Sequence, residues 1–181
     1  MKIILSILLF CSVLLADREG GPYIGLGYGI SKYDSDGLFK QEKENDSTGF
    51  AIYGGAYINK YLSVELGYID FNSGESYVVV DNTNTAKSIS FTTYNVSTLV
   101  HYAFFDDILD FYGKFGVGEM SASGLGSSGF TMLYGGGVGV RFNDMFSLKV
   151  AYDRYDTDYT QGVTKNDMHI DFIYSAFEIQ F

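Results

Sequence analysis

A period of two in hydrophobicity, repeated in eight separate stretches, is the feature of this chain that most constrains its fold. In the first stretch Ile24, Leu26 and Tyr28 alternate with glycines, and the last stretch alternates in the same way up to Phe181. Successive side chains of a β-strand point to opposite faces, so each stretch has one apolar face and one small or polar face. The sequence therefore predicts an all-β fold, an eight-stranded antiparallel up-and-down β-barrel. The stretches lie at residues 22–33, 48–58, 62–68, 88–102, 111–121, 130–142, 146–153 and 173–181.

The apolar face indicates what surrounds the barrel. It is a continuous series of aliphatic and aromatic residues, whereas the opposite face carries glycines and charges and is too small and polar for a water-soluble core. In a bilayer the assignment is reversed, because the apolar face contacts hydrocarbon and the other face lines the lumen. Beyond the N-terminal segment, no stretch approaches the ~18 consecutive apolar residues of a transmembrane helix. We therefore predict a transmembrane barrel in a bacterial outer membrane.

The connections between the strands fall into two lengths. Long polar loops are predicted at residues 34–47, 72–87 and 157–167, and short turns near Asn59, Asp106 and Asn143. Outer-membrane barrels have short periplasmic turns and longer outer loops. With eight strands, both ends of the mature chain fall on the short-turn side, so both termini are predicted to be periplasmic.

The N-terminal segment has the pattern of a secretory signal. Lys2 precedes an apolar run over residues 3–15, and Ala16 is a small residue at a suitable cleavage position. We expect residues 1–16 to be a signal peptide and residues 17–181 to form the barrel domain. The formal net charge of −10 argues against a nucleic-acid partner, because nucleic acids bind to basic surfaces.

Six charged residues are predicted to point into the lumen, because they share the face of the inward glycines. Charges of mixed sign can pair there, which makes them either a structural network that fills a narrow lumen or the gate of a small pore. The inward glycines are expected to leave room for water. The six residues are Glu65, Lys114, Arg141, Lys149, Asp153 and Glu178.

Several strand segments together resemble the eight-stranded outer membrane protein A-like barrel family, over about residues 20–181. The resemblance implies a barrel without an active site, and we do not expect the peptidoglycan-binding domain of larger members here. The last strand resembles the signal read by the barrel-assembly machinery, carried here by Phe177, Ile179 and Phe181. The segments that carry the family resemblance are LSVELGY (62–68), FYGKFGVG (111–118), GGGVGVRF (135–142) and FSLKVAYDRY (146–155).

Signals for catalysis are weak. His169 and Asp171 share the outward face of the last strand and His101 points inward near the turns, but no nucleophile motif accompanies them. We predict no catalytic residue, cofactor or metal site, and a non-enzymatic barrel with a structural or surface-contact, adhesin-like role. A small porin with a charged gate is the alternative, and a lipid A-modifying enzyme is the second. The expected surroundings are outer-membrane lipid and lipopolysaccharide around a monomer, with a surface or host ligand at the loops.

Overall fold

The computed structural model describes the backbone of residues 20–34, 46–80, 83–105, 107–123, 127–161 and 164–181. Side chains are described at these positions except 34, 46, 73–80, 83–89, 127, 158–161 and 164–167. The predicted signal peptide, residues 1–16, and most of the predicted loop at 34–47 lie outside the described residues. In the described part of the chain, no helix is long and apolar enough to cross a membrane.

Eight antiparallel strands form one closed barrel, in which each strand pairs with its sequence neighbours and the last strand pairs with the first. This confirms the fold class predicted from the period of two. The barrel closes because Tyr23 to Asp34 run alongside Gln180 to His169 in continuous register, so no edge is left open along this seam. The strands are β1 (Gly21–Asp34), β2 (Asp46–Asn59), β3 (Leu62–Val80), β4 (Thr83–Phe104), β5 (Leu109–Ser123), β6 (Ser127–Arg141), β7 (Phe146–Gln161) and β8 (Thr164–Gln180).

Two of the predicted long loops are largely strand. Residues 73–80 of β3 pair with residues 83–90 of β4, and residues 157–161 of β7 pair with residues 164–168 of β8. The predicted loops at 72–87 and 157–167 were therefore wrong in extent. Polar side chains suggested loops there, but a two-stranded ladder is held by backbone hydrogen bonds, which polar residues also form.

The β3–β4 hairpin extends beyond the wall of the barrel. The register of β2 with β3 ends at Phe50 and Asp70, and that of β4 with β5 ends at Ser90 and Ser123. Residues 73–80 and 83–89 thus pair with each other and with no other described strand. A transmembrane strand needs about 9–11 residues, and β3 and β4 have 19 and 22. The excess length lies on the side opposite the short turns.

The outer wall is apolar over a continuous band. Large hydrophobic side chains are exposed on it, for example Leu66 at 67% and Phe115 at 55%. From the short turns upward, no described outward position carries a charge until a ring of five residues, which we call the outer charge ring. Outward tyrosines lie just below this ring, as expected at a lipid–water interface. The outer charge ring consists of Lys32 on β1, Asp70 on β3, Glu119 on β5, Arg154 on β7 and Asp171 on β8.

The inner wall differs from the prediction, because aromatic rings occupy the space that inward glycines leave. Tyr23 lies opposite Gly55 and Tyr53 lies opposite Gly25 in the β1–β2 register. A Cβ atom on either glycine would overlap the ring of the tyrosine across from it. The glycines therefore make room for side chains rather than for water, and the lumen is packed.

Candidate functional site: the barrel lumen

The lumen contains four groups of side chains, stacked from the short turns to the long hairpins. On β7 the inward positions run from Lys149 through Asp153 to Tyr155, and on β8 they run from Glu178 through Tyr174 to Phe172. These positions give the order of the upper three layers, and the lowest layer, made of Ser63, His101 and Asp110, lies next to the short turns. In order the four layers are a hydrogen-bonded relay, a caged ion pair, a charged triad and an aromatic plug.

The relay lies at the mouth on the short-turn side. The imidazole Nδ1 of His101 is 2.8 Å from Asp110 Oδ2, and its Nε2 is 2.8 Å from the hydroxyl of Ser63. A carboxylate only accepts hydrogen bonds, so Nδ1 carries a proton and Nε2 of a neutral ring accepts from Ser63. A cavity of about 40 Å³ opens beside His101, between Tyr57, Lys60 and Arg141.

This relay has the connectivity of a serine–histidine–aspartate triad, which sequence spacing did not indicate. A catalytic serine must be reached by its substrate, and donors must face the oxygen that becomes charged. Ser63 is completely buried, and it does not line the cavity beside His101. On its other side, the Tyr23 hydroxyl lies 3.3 Å from the serine oxygen.

The caged ion pair lies above the relay. The ammonium of Lys149 forms an ion pair with Glu178, and both side chains are almost entirely buried. Three tyrosine rings surround the ammonium, with centroids 5.1 Å away at Tyr23, 5.2 Å at Tyr112 and 5.9 Å at Tyr53. Aromatic faces attract a desolvated cation, so the cage compensates part of the cost of burying this charge.

The charged triad is held at mid-height. Lys114 Nζ lies 2.7 Å from Glu65 Oε1 and 3.2 Å from Asp153 Oδ2, so one cation bridges two buried carboxylates. The Tyr174 hydroxyl donates to Asp153 at 3.0 Å, and the Tyr23 hydroxyl donates to Glu65 at 3.3 Å. The triad has one more negative than positive charge, and these hydroxyl groups supply the remaining donors.

The aromatic plug closes the half of the lumen toward the long hairpins. The ring centroids of Phe71 and Tyr155 are 5.0 Å apart, and those of Phe71 and Phe172 are 5.7 Å apart, both edge to face. All three side chains are 0% exposed, as are Leu133 and Ile170 beside them. At this level the described side chains form a buried apolar core across the lumen.

The structure divides the six predicted lumen residues into separate sets. Five of them belong to the triad or the caged pair, and Arg141 instead lies half-buried at the cavity beside His101. Phe177 on β8 and Phe181 just after its end are exposed, with Ile179 partly covered between them. In the described residues, no group of three or more His, Cys, Asp or Glu side chains could hold a metal ion.

Sequence reasoning missed the inward aromatic residues, whose buried side chains occupy the lumen. Their strand parity was readable, because each shares its face with an inward charge or glycine. In an outer-membrane barrel the apolar face is the one that contacts lipid, so hydrophobicity alone predicts aromatic residues mainly on the outer wall. The missed residues are Tyr23, Tyr57, Phe71, Phe91, Tyr112, Tyr155, Phe172 and Tyr174.

A closed eight-stranded barrel with an apolar outer band and a charged, packed lumen defines a small integral barrel of the bacterial outer membrane. The chain matches the family model of the outer membrane protein beta-barrel domain over residues 3–181, and it belongs to that family. No curated protein matches it.

Solved structures show the same fold at low sequence identity. Neisserial surface protein A has 12% identity and a TM-score of 0.61, with 89% of this chain and 97% of that chain covered. OprG from Pseudomonas aeruginosa has 14% identity and a TM-score of 0.60, with 90% and 97% covered. Ail, the attachment invasion locus protein of Yersinia pestis, was solved with the heparin analogue sucrose octasulfate. It has 17% identity and a TM-score of 0.54, with 88% and 99% covered.

Proposed function

We propose that this protein is a non-conducting, non-enzymatic outer-membrane barrel that acts by presenting its long hairpins at the cell surface. The observation that carries the proposal is the aromatic plug, in which Phe71, Tyr155 and Phe172 are 0% exposed in the half of the lumen toward the long hairpins. A transport path would have to cross this layer and the triad below it. The outer end of the barrel is then the part available for function.

The length of the β3–β4 hairpin supports a surface role. Its ladder continues from Gly74 and Ile89 to Val80 and Thr83 without a strand on either side among the described residues. Backbone donors and acceptors along such edges can bind an extended segment of a partner. In this proposal the short turns and both termini are periplasmic, and the hairpins face outward.

The charge of the outer connections favours a basic or uncharged ligand. Acidic residues outnumber basic ones in each of the segments 34–47, 72–87 and 157–167. Ail was solved with a sulfated sugar analogue, but a polysulfated ligand would be repelled by a chain of net charge −10. We therefore expect the partner to differ in chemistry from a sulfated polysaccharide.

The triad-like relay does not make the barrel an enzyme in this proposal. Ser63 is enclosed between Tyr23 and His101, so its hydroxyl has no substrate-sized space beside it. We assign the relay to holding β3, β4 and β5 together at the periplasmic mouth. Assembly signalling by Phe177, Ile179 and Phe181 also stays a prediction.

Adhesion of bacteria that express the protein to cultured epithelial monolayers tests the surface role. In the test variant an Asn-Gly turn replaces residues 76–87, which joins the paired positions Glu75 and Ser88 directly. We expect this variant to lose most of the adhesion. The matched control replaces residues 159–166, between the paired Asp158 and Asp167, in the same way. Adhesion equal to that of wild type in both variants would contradict a ligand-binding role for the hairpin.

Planar bilayer recording separates this proposal from the small-porin alternative. We expect no single-channel current from the purified wild-type barrel. Currents whose size changes in Lys114→Met would instead show that ions pass the triad, and the protein would be a porin.

A further inference from the structure

The outer charge ring is uneven in sign. Lys32 and Arg154 are its basic members, and both are register partners of Asp171, so the three side chains lie side by side on β1, β8 and β7. The opposite sector, on β3 and β5, contributes Asp70 and Glu119 and no described basic residue. Positive charge at the edge of the apolar band is therefore concentrated in one sector of the barrel, in a protein of net charge −10.

Arg154 is held in place by its acidic neighbours. Its Nε lies 3.4 Å from Asp156 Oδ1 and 3.8 Å from Asp171 Oδ1, and 30% of its side chain is exposed. Both ion pairs are made by Nε, whose N–H is one of the five N–H donors of the guanidinium. Asp171 also accepts a hydrogen bond of 2.7 Å from the Tyr152 hydroxyl, which fixes the carboxylate that orients Arg154.

The position of this sector along the barrel axis determines which part of a lipid it contacts. Immediately below it, the outward side chains are Ile30 on β1, Ile173 on β8 and Tyr152 on β7, which are 51%, 51% and 39% exposed. These belong to the apolar band, so Lys32 and Arg154 lie at the level of lipid headgroups. Charges near hydrocarbon are less screened than charges in water, which strengthens their attraction to an anionic headgroup.

We propose that the β7–β8–β1 sector binds a phosphate group of an outer-leaflet lipid, with Arg154 and Lys32 as its ligands. Arginine matches the geometry of phosphate oxygens, and lysine adds a point charge on the other side of Asp171. Lys32, Arg154, Asp156 and Asp171 sum to zero charge, whereas Asp70 and Glu119 sum to −2. A phosphorylated lipid is therefore repelled less on the β7–β8–β1 side than on the side of Asp70 and Glu119, and among the described residues only the first side offers it basic ligands. The choice of leaflet rests on the proposed orientation of the hairpins.

Native mass spectrometry of the purified barrel in octyl glucoside micelles, titrated with bisphosphorylated lipid A, tests the site. We expect wild type to retain lipid A, and Lys32→Gln/Arg154→Gln to bind it about tenfold more weakly, because two charge-assisted phosphate contacts are lost. The matched control is Asp70→Asn/Glu119→Gln, which changes two charges of the same ring in the acidic sector. It should bind at least as well as wild type.

Three outcomes would overturn the proposal. These are equal retention by the double variant and wild type, equal weakening in the control, and equal retention of dephosphorylated lipid A by wild type. Heat-modifiable gel migration verifies that each variant is folded, and Arg154→Lys supplies a milder substitution that should bind with intermediate strength. A micelle titration does not depend on orientation. Labelling of a cysteine introduced in the β3–β4 hairpin of intact cells tests the orientation separately.

Discussion

Replacing Gly25 by alanine should test the packing of the lumen most directly. A methyl group at Gly25 would overlap the Tyr53 ring, at a separation that real Cβ atoms do not show, and the nearest atoms it meets all belong to that ring. Tyr53 is only 6% exposed and faces the ammonium of Lys149. The ring would have to leave its place in the cage, because the strand backbone of a closed barrel cannot move away.

The expected cost follows from two opposing effects. Forcing an extra methyl group into a packed interior costs about 1–3 kcal/mol, and a displaced ring would also lose a cation–π contact worth roughly 0.5–2 kcal/mol. Replacing glycine by alanine restricts the unfolded chain, which returns about 0.4–1 kcal/mol. We expect Gly25→Ala to lower the free energy of unfolding by about 1–4 kcal/mol on balance.

Urea unfolding of the barrel reconstituted in phosphatidylcholine vesicles measures this free energy. The matched control is Gly113→Ala, because Gly113 faces the lipid side and its added Cβ would meet no heavy atom within 4 Å. This control should be neutral or stabilising by up to about 1 kcal/mol. In a Tyr53→Ala background, Gly25→Ala should cost almost nothing, because the ring is gone. An equal cost in both backgrounds, or an equal cost at Gly113, would refute the reasoning.

The remaining predictions concern the charges, the relay and the closure of the barrel. Lys114→Met should destabilise the barrel by about 3–5 kcal/mol, and more than Lys149→Met, because it leaves two buried carboxylates without their cation rather than one. Equal losses of unfolding free energy in urea would contradict this. Ser63→Ala should cost only about 0.5–1.5 kcal/mol, and a fluorophosphonate probe should not label the wild type; labelling that is lost in Ser63→Ala would show a reactive serine. Unboiled protein should migrate differently from boiled protein on a detergent gel, because every transmembrane strand is paired on both sides; identical migration would count against the closed barrel.

Strand parity allowed the sequence to predict which face of each strand points inward, but not the height of each side chain. Glu65, Lys114 and Asp153 lie on β3, β5 and β7, and their alternation places all of them in the lumen. Their grouping into one triad, separate from Lys149 and Glu178, depends on the stagger between strands that are not neighbours. No local pattern encodes that stagger. The extent of the β3–β4 ladder was missed for a related reason, because its polar residues do not distinguish a loop from a paired strand.

The strand register shows which inward residues lie opposite one another, which strand parity does not. The half of the lumen toward the short turns is an example. Tyr23 faces Gly55, Tyr53 faces Gly25 and Tyr57 faces Gly21 across the β1–β2 seam. The same pairing recurs at Tyr112 with Gly137 and at Tyr174 with Gly29.

An added Cβ at Gly55, Gly25 or Gly137 would meet the side chain of Tyr23, Tyr53 or Tyr112, which are the three rings of the cage. In the plug, the ring of Phe172 covers Gly49 in the same way. A bulky inward ring needs a small residue opposite it where the lumen also holds ion pairs, since the barrel diameter is set by eight strands. Glycine and tyrosine on one inward face are therefore two halves of a single packing unit. Once the short turns fix the register, those pairs identify the cage around Lys149 before any side chain is placed.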